Sequence, residues 1–132
     1  MLNSNTLQSL QALKEKLEAE RLAEREQLIK EYEMRQKSFN EKYGFKNAEE
    51  LIDYIKSGKK IVSDCGDDSF QMVDGAIKHI YMAYNDVDMP IGREYKYKTF
   101  ADFKKWVYAV LETGRDRNYG YIPTWFKERS EW

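Results

Sequence analysis

The stretch Thr6–Tyr43, TLQSLQALKEKLEAERLAEREQLIKEYEMRQKSFNEKY, holds neither glycine nor proline; the first glycine of the chain is Gly44. It is dense in Leu, Glu, Lys, Arg, Gln and Ala, the side chains that lose least freedom in a helix. The spacing predicts one unbroken helix, about 55 Å long at about 1.5 Å per residue. The residues that follow would form a globule only about 30 Å across. Such a helix pairs with a partner, lies on its own domain, or stands in water, so its reading concerns association.

Leu10, Leu13, Leu17, Leu28, Tyr32, Phe39 and Tyr43 fall on one stripe at helical spacing, interrupted by Arg21, Glu24 and Arg25. Glu26 and Lys30, Glu31 and Arg35, and Glu33 and Lys37 form i,i+4 pairs off the stripe, worth about 0.2–0.5 kcal/mol each. If two copies run antiparallel about a centre between Leu22 and Ala23, Leu17 meets Leu28 of the second copy and Leu13 meets Tyr32. At the centre Arg21 then faces Glu24, and Glu20 faces Arg25. A parallel in-register pair would stack Arg21 on Arg21, so like-charge repulsion favours the antiparallel form. Homodimerisation through Leu10, Leu13, Leu17, Arg21, Glu24, Leu28, Tyr32 and Phe39 is therefore the expectation. Another oligomer, or a helix lying partly on its own C-terminal domain, is the alternative.

Asn5 or Thr6 is expected to cap this helix, and Gly44 to end it in a left-handed cap. Asn47 should cap a second helix, Ala48–Ser57, with Glu49 and Glu50 in its positive first turn and Leu51, Ile52 and Ile55 on its apolar face. Gly58 stops it, with Lys59 and Lys60 near its negative end. Ile61 and Val62 suit a short strand, and Asp64–Ser69 a loop. Ser69–Tyr84 reads as a helix from the spacing of Val73, Ala76, Ile77, Ile80 and Tyr84, although Asp74-Gly75 is a hairpin signal. Glu94–Lys98 alternates like an edge strand. Thr99 caps a helix that runs to Glu112 and ends at Gly114, and Pro123 starts a last short helix carrying Trp125 and Phe126. The fold class expected is mainly α. A long helix over residues 1–43 precedes a small helical domain over residues 44–132 with at most a minor β element.

The chain has 132 residues, 42% hydrophobic and 14% aromatic, which argues against disorder. Net charge is −1, so the whole molecule attracts no polyanion, but the charge is uneven. Residues 44–92 carry five bases and nine acids; residues 93–132 carry nine bases and six acids. The acidic middle and basic tail either attract each other within one fold or present separate faces to partners. Cys65 is the single cysteine, which rules out an internal disulfide. No membrane span or secretory signal is evident, and a cytoplasmic setting is expected.

Cys65 and His79 do not by themselves make a nucleophile–base pair or a zinc site. Asp64, Asp67, Asp68, Asp74, Asp86 and Asp88 lack the alternation and closing glutamate of a calcium loop. No phosphate loop, zinc-finger spacing or helix-turn-helix pattern fits. The chain is therefore read as non-enzymatic, without cofactor or metal. The tail is the best candidate surface. Arg93, Lys96, Lys98, Lys104, Lys105, Arg115 and Arg117 interleave with Tyr95, Tyr97, Tyr119, Tyr121 and Trp125. Rings stack on bases and guanidinium groups pair with phosphate; Tyr, Trp and Arg also anchor protein interfaces. The binding set is Arg93, Tyr95, Tyr97, Lys104, Arg115, Arg117, Tyr119, Tyr121 and Trp125. The function expected is an intracellular interaction protein, a homodimeric regulator or inhibitor of a macromolecule, with nucleic acid or a nucleotide-like ligand as the alternative partner. The composition is similar to that of accessory proteins of phages and mobile elements.

Overall fold

The structure is a computed structural model that describes residues 4–132. Helix α1 runs Ser4–Tyr43, and the chain divides into two units, the second beginning at Ser38. Asn5 and Thr6 lie inside α1, so neither caps it.

In the second unit, α2 spans Ala48–Lys56. Its Asn47 side chain accepts the Glu50 N–H at 2.9 Å, as the sequence predicts. The mainly-α expectation fails beyond this point. Strands β1 (Ile61–Ser63), β2 (Ser69–Val73), β3 (Ala76–Tyr84), β4 (Pro90–Thr99) and β5 (Trp125–Phe126) form one antiparallel sheet in the order β4-β3-β2-β1-β5. The sheet is a principal element, so the fold is α+β.

The helix expected over Ser69–Tyr84 is a hairpin of β2 and β3. Asp74 and Gly75 have φ of 52° and 82°, the left-handed pair that closes a two-residue hairpin. The apolar spacing of this segment suits both forms. Ala76, Ile80 and Tyr84 recur every four residues, which fits one face of a helix and also one face of a strand. Replacing Gly75 by alanine separates the two forms. In a helix alanine would stabilise by about 1 kcal/mol. In this turn it is expected to destabilise by about 1–2 kcal/mol, because a Cβ opposes left-handed backbone. Nothing lies within 4 Å of the added Cβ, so the effect is free of steric clash. Urea denaturation reads the sign.

The helix α3 after Thr99 covers Phe100–Trp106, with the Thr99 hydroxyl accepting the Asp102 N–H at 3.1 Å. It widens into a π-helical stretch over Val107–Leu111 and tightens to a 3₁₀ segment ending at Asn118, past the stop expected at Gly114. The helix expected after Pro123 is the strand β5 instead. Trp125 and Phe126 point to opposite faces, and each finds an aromatic cluster there. Gly44 is not left-handed; glycine is required because a Cβ would sit 2.7 Å from the Asn40 carbonyl oxygen.

Helices α2 and α3 contribute Leu51, Ile55 and Phe103 to the core over one sheet face, where Ile61, Phe70, Ile77 and Trp125 are buried. Phe70 is the hub, with ring centroids of Phe103, Trp106 and Trp125 at 5.1, 5.2 and 4.8 Å. On the opposite face Phe126 packs on Phe39 at 4.9 Å and on Trp132 at 6.2 Å. The Lys127 N–H donates to the Tyr43 carbonyl and the Ile122 N–H to that of Phe45, fastening the tail beside the end of α1.

Candidate functional site

Strand β4 is an outer strand, and its residues alternate faces. Arg93, Tyr95 and Tyr97 share the face turned away from Phe70, opposite Met82, Ile80 and Lys78 of β3. Tyr95 is 62% exposed and Tyr97 53%. Their rings meet edge to face at 5.8 Å, and Lys78 Nζ lies 4.6 Å from the Tyr95 ring centre. Neither strand contributes a carboxylate to this face, so the ribbon offers rings and cations together. The other face is occupied: Lys98 Nζ lies 5.2 Å from the Trp106 ring centre, and Lys96 Nζ 5.2 Å from that of Tyr81.

The remaining members of the sequence-derived set belong to other elements. Lys104 is exposed on α3. Arg115 is paired with Glu112 at 3.2 Å and with Asp116 at 3.8 Å. Arg117 is exposed, Tyr119 caps the 3₁₀ segment with φ 58°, and Tyr121 is half-buried. Trp125 is 8% exposed and belongs to the core.

Lys78, Lys60 and Arg129 join these residues only in the folded chain. Lys60, Arg93 and Arg129 line a cleft of about 300 Å³ together with Gly66, Ser69, Glu128 and Ser130. Lys60 reads in the sequence as a helix-end charge, and Arg129 carries no local signal. Only the pairing of β1 with both β2 and β5 brings these segments together.

In the first unit Leu10, Leu13, Leu17, Leu28 and Tyr32 are 50, 53, 47, 63 and 63% exposed. Arg21 and Glu24 are exposed between them. Leu22, Ile29 and Met34 are exposed as well, off the stripe. Phe39, included in the expected pairing set, packs within its own chain on Tyr43, Phe126 and Trp132.

His79 stacks on Phe70 at 4.2 Å, and both ring nitrogens are buried without a hydrogen-bond partner. Cys65 is exposed, its thiol 3.4 Å from the Ser63 hydroxyl. The two side chains therefore form no nucleophile–base hydrogen bond. Burial holds the His79 pKa below its ordinary 6.5; Asp68, 3.8 Å from Nε2, opposes this, and Lys96 and Lys98 add to it. Above about pH 6.5 the ring is neutral in both folded and unfolded chains and contributes nothing. Below that pH the unfolded chain takes up the proton first, so stability falls. Between about pH 7 and pH 5, His79→Phe is expected to lose less unfolding free energy than the parent. Parallel pH profiles would show that His79 titrates alike in both states.

Asp64 accepts the Cys65 N–H at 2.8 Å, and Asp74 occupies the hairpin turn. Among the described residues no cluster of three His, Cys, Asp or Glu side chains is placed to hold a metal ion, and no helix is long and apolar enough to cross a membrane. The chain matches no protein-family model, no curated protein and no solved structure.

Proposed function

We propose that this chain is a non-enzymatic binding protein, a regulator or inhibitor that works as a homodimer through α1 and offers the open face of the β3–β4 ribbon to a macromolecular partner. The observation that carries the reading is the solvent exposure of the α1 leucines, each about half exposed or more in a single chain. Apolar surface of this extent gains by burial at about 25 cal/mol per Å². A second copy is the occupant that the charges fit. One shallow groove on α1 is lined by Leu10, Leu13, Lys14, Leu17, Glu18 and Arg21, and another by Ala23, Glu24, Gln27 and Leu28. In the antiparallel pair Leu17, Glu18 and Arg21 of one copy oppose Leu28, Gln27 and Glu24 of the other. Light scattering on the free protein is expected to give twice the 15.8 kDa chain mass. A monomer at the highest soluble concentration would refute the dimer.

A second reading, binding of nucleic acid or a nucleotide, is favoured by one feature: Arg93, Tyr95, Tyr97 and Lys78 share a face to which neither β3 nor β4 contributes a carboxylate. Bases stack on such rings with little sequence preference, and the salt dependence of binding counts the phosphates neutralised. A stoichiometric complex with a protein that survives moderate salt supports the first reading over the second.

A further inference from the structure

We propose that the cleft between Lys60, Arg93 and Arg129 is a binding site for the phosphate group of a nucleotide or a single nucleic-acid strand. The three cations come from three places in the chain: the residue before β1, the middle of β4 and the C-terminal segment. No ion pair joins any of them to a carboxylate among the described residues. Glu128, the one acid in the cleft wall, accepts the Lys60 N–H at 2.6 Å and the Ser130 hydroxyl at 3.4 Å. Its carboxylate is thus tied to the wall. Lys60, Arg93 and Arg129 against Glu128 leave a formal charge of +2 around a space of about 300 Å³.

A cleft lined mainly by one sign of charge focuses the field and raises the local concentration of counter-ions, here anions. The donor set specifies the anion. Two guanidinium forks, an ammonium and the Ser69 hydroxyl suit a group with several acceptor oxygens. Arg129 reaches over the loop after β1 and lies against Gly66. A Cβ on Gly66 would lie 2.2 Å from its Nη2, so the bare glycine leaves the guanidinium room to lie close to the backbone. Its Cζ also lies 5.4 Å from the Trp132 ring centre.

The cleft opens onto the ribbon face. Arg93 precedes Tyr95 by two residues on the same side of β4, a step of about 6.8 Å. Ser69, in the cleft wall, pairs with Ile80, and Ile80 pairs with Tyr95. A phosphate held by Arg93 therefore leaves its attached base within reach of the Tyr95 ring. The inference rests on the aromatic–basic reading of this face and is independent of the helix pairing.

The test is an amide-shift titration of the full chain at fixed ionic strength with inorganic phosphate, adenosine monophosphate and a short oligothymidylate. Saturable shifts are expected at Gly66, Ser69 and Ser130 with all three, and tighter binding with the two nucleotide probes. Lys60→Gln, Arg93→Gln and Arg129→Gln are each expected to weaken nucleotide binding about tenfold. Arg93 and Arg129 are exposed and Lys60 is half-exposed, so the variants keep the fold, which circular dichroism verifies. Absence of a saturable shift with either nucleotide probe, or affinities unchanged by all three substitutions, would overturn the site. If Tyr95→Ala leaves the affinity intact while the cleft variants lower it, the cleft is upheld and the stacking reading of the ribbon is the part that fails. Light scattering on the same samples reads the helix pairing separately.

Discussion

Phe70→Ala is expected to cost about 3–5 kcal/mol of unfolding free energy, the range for emptying the site of a fully buried aromatic ring. Phe70 is 2% exposed on β2, the middle strand of the sheet. It touches His79, Phe103, Trp106 and Trp125, so truncation opens a hole bounded by two strands and α3. All four neighbours are rigid rings that cannot collapse into the space, which places the cost at the upper end. A small domain is stable by about 5–15 kcal/mol, so the loss is a large share of the total. Trp106 and Trp125 report it directly: their fluorescence should show a lower urea midpoint with little change in slope. Phe70→Leu keeps more of the volume and should lose less than half as much. A loss below about 1 kcal/mol for the alanine variant would remove Phe70 from the core and with it the packing of α3 on the sheet.

Elements governed by local chemistry were legible in the sequence. The unbroken run to Tyr43, the Asn47 cap with Glu49 and Glu50, the Thr99 cap and the alternation of Glu94–Lys98 all signal through near neighbours, and each element formed where its signal lies. The sheet was not legible, because its evidence is non-local. Ile77 and Ile80 are apolar on opposite faces of β3, and neither face of that strand is fully solvated, so the two-residue period is blurred. Asp74-Gly75 carries the hairpin signal, against a four-residue spacing that strands and helices share. A two-residue strand such as Trp125–Phe126 has no period at all. The candidate site divides in the same way. Arg93, Tyr95 and Tyr97 were visible because one strand supplies all three. Lys60 and Arg129 joined Arg93 only through strand pairing between distant segments, and Trp125 was drawn into the core by the Phe70 cluster.

Leu13→Lys with Leu17→Lys is expected to convert the proposed dimer to monomer without unfolding the second unit. Each leucine is about half exposed in the single chain, and each would be covered by the second copy, at Tyr32 and Leu28 respectively. A dimer contains four such side chains. Even at about 1 kcal/mol for each partly exposed leucine, the pair loses about 4 kcal/mol, close to a thousandfold in dissociation constant. The lysines also set new charges on a seam that already holds Arg21. Because Leu13 and Leu17 belong to the unit before Ser38, unfolding of the sheet-bearing unit followed by its tryptophans should be unchanged once the concentration dependence is removed. Orientation is read by charge reversal. Arg21→Glu should weaken an antiparallel dimer by setting a second carboxylate against Glu24, and adding Glu24→Arg should restore it, because the swap rebuilds opposite charges across the pair. In a parallel dimer each residue meets its own copy, so the swap would restore nothing. A chain whose mass ignores the leucine substitutions would refute the seam itself, and the ribbon face would then have to act from a single copy.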